Sequence, residues 1–310
     1  MDQIKFYIFL VLKGAAMGAA NVIPGVSGGT IALITEIFER LINAIKSFDL
    51  KALRLLTNGK FRDFARHTDL YFLLAIAAGV VIAIVSLARL FDYLFREYPV
   101  YIWAFFFGLV LASVYFVGRR ISKVSLSVII TFVIGTGIAI LISFLSKGQE
   151  NESFFYLMLC GVAAICSMIL PGLSGSFILF IMGNYRLVAI DAINERDFGI
   201  LLPVIIGAAV GLVAFAHILS WVFKRFRDET ISILTGFILG SVSILWPWQK
   251  EEYLLDAAGN LILKDGEKVV THYSRYLPQE LGTEFWIAIA CILLGILSIW
   301  ITEALAKQKS

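Results

Sequence analysis

Two short stretches of this chain combine residue types that can hold an anion. Pro24-Gly25-Val26-Ser27-Gly28-Gly29-Thr30 returns 147 residues later as Pro171-Gly172-Leu173-Ser174-Gly175-Ser176-Phe177. Glycines free backbone N–H groups in a tight turn, and a helix that starts after the turn points its first unpaired N–H groups into it. The candidate cradle comprises Gly25, Ser27, Gly28, Gly29 and Thr30 from the first copy and Gly172, Ser174, Gly175 and Ser176 from the second. The competing reading is structural: the glycines allow close helix packing and the hydroxyls satisfy freed backbone groups. Gly25-Val26-Ser27-Gly28-Gly29 also fits the Gly-x-Ser-x-Gly elbow of serine hydrolases. That elbow needs a preceding strand and His/Asp partners. The second copy lacks the last glycine, and the chain has only three histidines, His67, His217 and His272. A hydrolase or lipid phosphatase is disfavoured, since no nucleophile with an acid/base pair is evident. No metal cluster, Walker loop or dinucleotide fingerprint occurs, so no cofactor is expected.

Ionisable residues inside apolar segments form the second group of candidates, because they are costly in a membrane and mark pathways. Arg89 and His217 are candidates for substrate capture and for coupling to protons, with snorkelling and packing as the structural alternatives. Lys13, Glu36, Arg40 and Arg186 lie along the segments flanking the two motifs, where each either lines a pathway or anchors a helix.

The elements that position these residues belong to a membrane. The chain has 310 residues, 59% hydrophobic and 16% charged, with a mean hydropathy of +0.87. A soluble domain of this size needs more charge to cover its surface. A net charge of +3 does not suggest nucleic-acid binding, because the basic residues sit at the ends of apolar blocks. Cys160, Cys166 and Cys291 lie within apolar segments without disulfide or metal spacing. The apolar run from Ile4 to Leu12 leads directly into the first motif, so it is read as part of the mature fold and not as a signal peptide.

The chain reads as an all-α polytopic membrane protein of two inverted-topology repeats. Each repeat is a re-entrant helical hairpin plus three transmembrane helices. Besides the 147-residue offset of the motifs, an ungapped block repeats at an offset of 128. It pairs Asp69/Asp197, Gly79/Gly207, Phe95/Phe223 and Gly108/Gly236, and in it Arg89 matches His217. The first repeat, 1–147, has a hairpin over 6–45, an amphipathic linker over 46–68 and spans at 70–92, 99–118 and 124–146. The second, 148–310, has a hairpin over 154–190, spans at 198–222, 230–248 and 284–304, and an outer loop over 249–283 with β-hairpin signals. The hairpin arms are about 16 residues, roughly 24 Å as helix against a hydrocarbon core of about 30 Å. Their connectors are uncharged, which favours re-entrant hairpins over two full crossings. An odd number of crossings separates the motifs under either reading, so the halves are inverted, as in many secondary transporters. Placing both termini in the cytoplasm puts 15 Lys/Arg on that side and 7 opposite. The linker's alternating basic and apolar residues suit a helix on anionic lipids.

The stretch from Lys13 to Leu33, KGAAMGAANVIPGVSGGTIAL, resembles the signature of the PopT-type polyprenyl-phosphate transporter family, bacterial membrane proteins formerly grouped as a domain of unknown function. The PGLSGS copy extends the resemblance over nearly the whole chain. It implies translocation of undecaprenyl phosphate, the carrier of cell-wall precursors, from the outer to the inner leaflet of the cytoplasmic membrane. The second copy departs at Ser176 and Phe177, so the two tips are expected to contribute unequally. The runner-up expectation is a secondary transporter of a small soluble anion. Oligomeric partners, tail length and the coupling ion are not legible.

Overall fold

The structure, a computed structural model, describes residues 3–22, 27–145, 148–253, 263–264, 267–268, 270–278 and 281–307. Among these, five helices are long and apolar enough to cross a membrane. They lie in α6 (Leu70–Glu97), α7 (Pro99–Gly118), α8 (Leu126–Ser143), α12 (Phe198–Arg225) and α14 (Thr283–Lys307). Their apolar side chains face outward: Val85 is 74% exposed and Leu141 64%. Such a surface is stable only against lipid. The protein is a multi-pass α-helical membrane protein.

The segments around the motifs are more broken than the sequence suggests. α1 (Gln3–Val22) and α9 (Phe154–Ile169) are single helices leading into the two motifs. The returning arm of the hairpin expected over 6–45 is two helices, α2 (Gly28–Ile34) and α3 (Phe38–Lys46), parted at Glu36 in a left-handed conformation (φ 62°). The returning arm of the hairpin expected over 154–190 breaks at the repeat-equivalent position: α10 (Gly175–Ile181) ends before Gly183 (φ 82°). A π-helical turn, Leu187–Asp191, and α11 (Ala192–Glu195) follow. Glycine adopts this conformation freely, whereas a glutamate there costs about 1–2 kcal/mol, which explains why one break is signalled in the sequence and the other is not.

Two further expectations need correction. The linker 46–68 is not one helix. It is α4 (Leu50–Thr57) and α5 (Phe61–His67), parted at Asn58 and Gly59 (φ 70°). Asp49 caps α4 by accepting from the Ala52 N–H at 2.8 Å, and this bond holds its carboxyl below the usual range. The segment expected over 230–248 is α13 (Arg227–Ser241), 15 residues long and largely buried. At about 22 Å it is too short to span alone. In the loop over 249–283, β1 (Gln249–Tyr253) pairs antiparallel with β4 (Val270–Arg275), Gln249 opposite Arg275. β2 (Leu263–Lys264) pairs with β3 (Glu267–Lys268).

The helices pack in four close pairs: α1 on α6, α9 on α12, α7 on α14 and α8 on α13. Each seam is set by glycines whose missing side chains let a neighbouring backbone approach, as small residues do at membrane helix contacts. Gly14 lies against the Ile76 carbonyl and Gly79 against that of Val11; Gly161 lies against Val204 and Gly207 against Met158. Gly108 meets Ile292 and Gly295 meets Phe105; Gly236 meets Phe132 and Gly135 meets Ile233. Val11 and Met158 are 147 apart, and Ile76 and Val204, like Phe105 and Ile233, are 128 apart. The α1/α6 seam thus has its counterpart in α9/α12 at both offsets of the sequence, and the α7/α14 seam has its counterpart in α13/α8, where α7 and α13 keep the 128 offset. The third helix of each half packs on the second helix of the other.

Candidate functional site

The two motifs meet. Ser27 is the N-cap of α2, accepting from the Gly29 N–H at 3.1 Å, as a capping hydroxyl should. The same hydroxyl donates to the Met168 carbonyl near the end of α9 at 3.0 Å. In return, the Gly172 N–H donates to Thr30 Oγ1 at 3.1 Å. Gly29 has no room for a side chain, because a Cβ there would run into the Ile169 carbonyl. The Gly28 N–H is taken by Asn21 Oδ1 at 2.7 Å. Ser27 and Thr30 are 2% and 1% exposed, so both hydroxyls are engaged with the opposite hairpin. Gly25 lies outside the described residues.

The second tip is more open. Gly172 takes a left-handed turn (φ 83°) and sits against the backbone of Phe237 and Ile238 in α13. Gly175 is buried against Met168 and Ala164. Ser174 precedes α10 without capping it. Its hydroxyl lies 2.7 Å from that of Ser176, at the surface. The four hydroxyls of the candidate cradle therefore divide: one pair locks the tips together and the other pair stays accessible.

At the far end of α2, roughly 10 Å from the tip, cations gather. Lys13 Nζ donates to the Thr35 carbonyl at 2.8 Å. Arg120 donates to the carbonyls of Leu33 (2.9 Å) and Ile34 (2.8 Å) and pairs with Glu36 at 3.1 Å. These are the carbonyls that a helix end leaves without partners, and positive charge is favoured there. Nearby, Arg40 makes a two-pronged bond to Asp69, 2.7 and 3.0 Å, with its guanidinium 4.2 Å from the Phe72 ring centre. Arg227 pairs with Glu39 at 3.5 Å. Apart from Lys13 and Phe72, these charged side chains line a cavity of about 880 Å³. Asp197, the repeat counterpart of Asp69, instead caps α12 through the N–H groups of Gly199 and Ile200.

The other ionisable candidates do not join this cluster. His217 Nδ1 lies 2.8 Å from the Val213 carbonyl. Its ring lines a shallow groove with Phe48, Leu50 and Leu53 of the linker. Arg186 pairs with Asp191 at 3.2 Å. Arg89 falls within α6, but its side chain lies outside the described residues. In the sequence, Arg120 and Arg227 stand out only as charges that set orientation. The signal that could have found Arg120 is the density of three basic residues in the short 118–123 loop.

Residues 17–262 match the family described as undecaprenyl phosphate translocase-like. A polyprenyl-phosphate transporter of Vibrio cholerae is 40% identical over 244 residues, 79% of this chain and 79% of its own length. One from Staphylococcus aureus is 30% identical over 266 residues, 80% of this chain and 88% of its own length. No solved structure matches.

Proposed function

The chain belongs to the undecaprenyl phosphate translocase-like family, and from that premise we propose that it moves polyprenyl phosphate, undecaprenyl phosphate in particular, from the outer to the inner leaflet of the bacterial cytoplasmic membrane. This returns the carrier for reuse. The observation that carries the proposal is the contact between the two hairpin tips, with the Ser174/Ser176 hydroxyl pair accessible beside it. A phosphate headgroup pays a large desolvation cost in hydrocarbon, and hydroxyls and backbone N–H groups at the tips lower it with little formal charge.

The frame of this proposal is two inverted repeats, 1–147 and 148–310, whose re-entrant hairpins enter from opposite faces. Its support is the matched set of glycine seams. Both termini lie in the cytoplasm, as the Lys/Arg bias favours. The exposed Leu50, Leu53 and Phe61 beside Lys51 and Arg62 rest on anionic lipid. Arg89 captures the headgroup at the outer face, since its planar fork suits phosphate. The tips receive it, and it leaves toward the inner face past His217, through which transport is coupled to protons.

The test is transport in proteoliposomes by the double variant Ser174→Ala, Ser176→Ala. The expected result is loss of most polyprenyl-phosphate translocation at unchanged thermal stability. Wild-type translocation would overturn the role of these hydroxyls.

A further inference from the structure

We propose that the cavity at the far end of α2 is a second anion site, built for a phosphomonoester and held by Arg40 and Arg227, with Arg120 beside them. These guanidinium groups arrive from three elements, α3, the loop between α7 and α8, and the start of α13, and line one space of about 880 Å³. Convergence of three arginines on one cavity is costly unless something offsets their repulsion. Here carboxylates do so: Asp69, Glu36 and Glu39 each pair with one arginine. Two of the pairs are open to water, with Arg40 and Asp69 at 41% and 38% exposed and Arg227 and Glu39 at 57% and 54%. Exposed pairs exchange with solvent ions, the two-pronged Arg40–Asp69 pair less readily than Arg227–Glu39. A dianion can therefore displace the carboxylates and take both forks, which match phosphate geometry. The carboxylates then act as place-holders that keep the arginines ordered while the site is empty.

The asymmetry of the feature argues that it is not a packing device. By the repeat offsets, Arg40 corresponds to Leu187, Arg120 to Trp248 and Arg227 to Pro99. The frame holds at the opposite end without any of the three arginines. There Phe95, the counterpart of the cavity-lining Phe223, packs on Trp103 at 5.2 Å between ring centres. The proposal deepens the translocation reading and rests on it for orientation: the cavity is where a headgroup waits on the cytoplasmic side after leaving the tips. Free phosphate offers the same chemistry, and the two sources separate experimentally.

The test is calorimetric binding to the full chain in neutral phosphatidylcholine nanodiscs, with farnesyl phosphate and inorganic phosphate as probes. Arg120 is left intact because it also holds α2. The variants Arg40→Gln and Arg227→Gln are each expected to weaken binding about tenfold, the loss of one charged hydrogen-bonding fork. Asp69→Asn and Glu39→Gln are expected to tighten it several-fold by releasing an arginine; asparagine also tolerates the left-handed backbone at position 69 (φ 48°). A merely structural role predicts the opposite sign for the acid variants. Farnesyl phosphate binding that inorganic phosphate does not compete assigns the site to the lipid headgroup, and full competition assigns it to any phosphomonoester or free phosphate. No binding of either probe, unchanged affinity in both arginine variants, or weakening by both acid variants overturns the proposal. If the wild-type chain binds phosphate here yet translocates no lipid, the transport reading fails and the site stands.

Discussion

Replacing Ser27 by alanine removes one oxygen that makes two bonds, to the Gly29 N–H and the Met168 carbonyl. An N-cap hydroxyl contributes about 1 kcal/mol, and a buried hydrogen bond to backbone about 1 kcal/mol more. With Ser27 2% exposed, water cannot replace either bond. The expected loss is therefore about 2 kcal/mol. At about 2.1 cal/mol/K per residue, a chain of 310 residues shifts roughly 1.5 °C per kcal/mol, so Ser27→Ala should melt about 3 °C below wild type in detergent. Thr30→Val keeps the shape and strands the Gly172 N–H, for a loss of about 1–3 kcal/mol. Ser174→Ala removes a hydroxyl bonded to that of the exposed Ser176, where water can replace the lost bond, so the cost should stay within about 0.5 kcal/mol. Scanning fluorimetry on the three variants at one scan rate measures the contrast. Equal melting of Ser27→Ala and Ser174→Ala would refute the division of the tips into a lock and an open hydroxyl pair.

Bulk at either of two equivalent seams should be equally damaging: Gly79→Leu and Gly207→Leu are expected to abolish folded protein by size-exclusion profile. Gly137→Ala, with nothing within 4 Å of an added Cβ, should be tolerated or gain up to about 1 kcal/mol. Single cysteines in 46–68 and 119–123 should label from the cytoplasm and those in 255–270 from outside; same-side labelling of 119–123 and 255–270 would break the inverted arrangement. Arg89→Ala should lose most transport while Arg89→Lys keeps part of it. His217→Gln should flatten the pH dependence of transport; an unchanged profile would remove histidine coupling.

The long helices were legible because an uncharged apolar run of this length matches the thickness of a bilayer and exceeds what a soluble core can bury: α7 starts and ends at the residues read from the apolar block 99–118. What stayed hidden was set by tertiary contacts. Glu36 gives no local sign that it turns the chain, although its counterpart Gly183 does. The pairing of α7 with α14 and α8 with α13 was invisible because Gly135 and Gly295 are 160 apart, an offset that the loop over 249–283 separates from the ungapped block. The motifs marked where an anion could sit, but not which hydroxyls face away from the other tip. Ser27 and Ser174 hold the same place in their motifs, and only the neighbouring backbone of α9 distinguishes them. Arg120 looked like a topology charge because its partners, the Leu33 and Ile34 carbonyls, are 87 and 86 residues away.

The central claim is tested by reconstituting the purified chain in liposomes that carry a fluorescent short-chain polyprenyl phosphate, and measuring its accessibility to a membrane-impermeant quencher, with release of entrapped inorganic phosphate measured in parallel. The account predicts protein-dependent exchange of the lipid between leaflets with no phosphate release. Phosphate release without lipid exchange would contradict it and identify a carrier of small soluble anions.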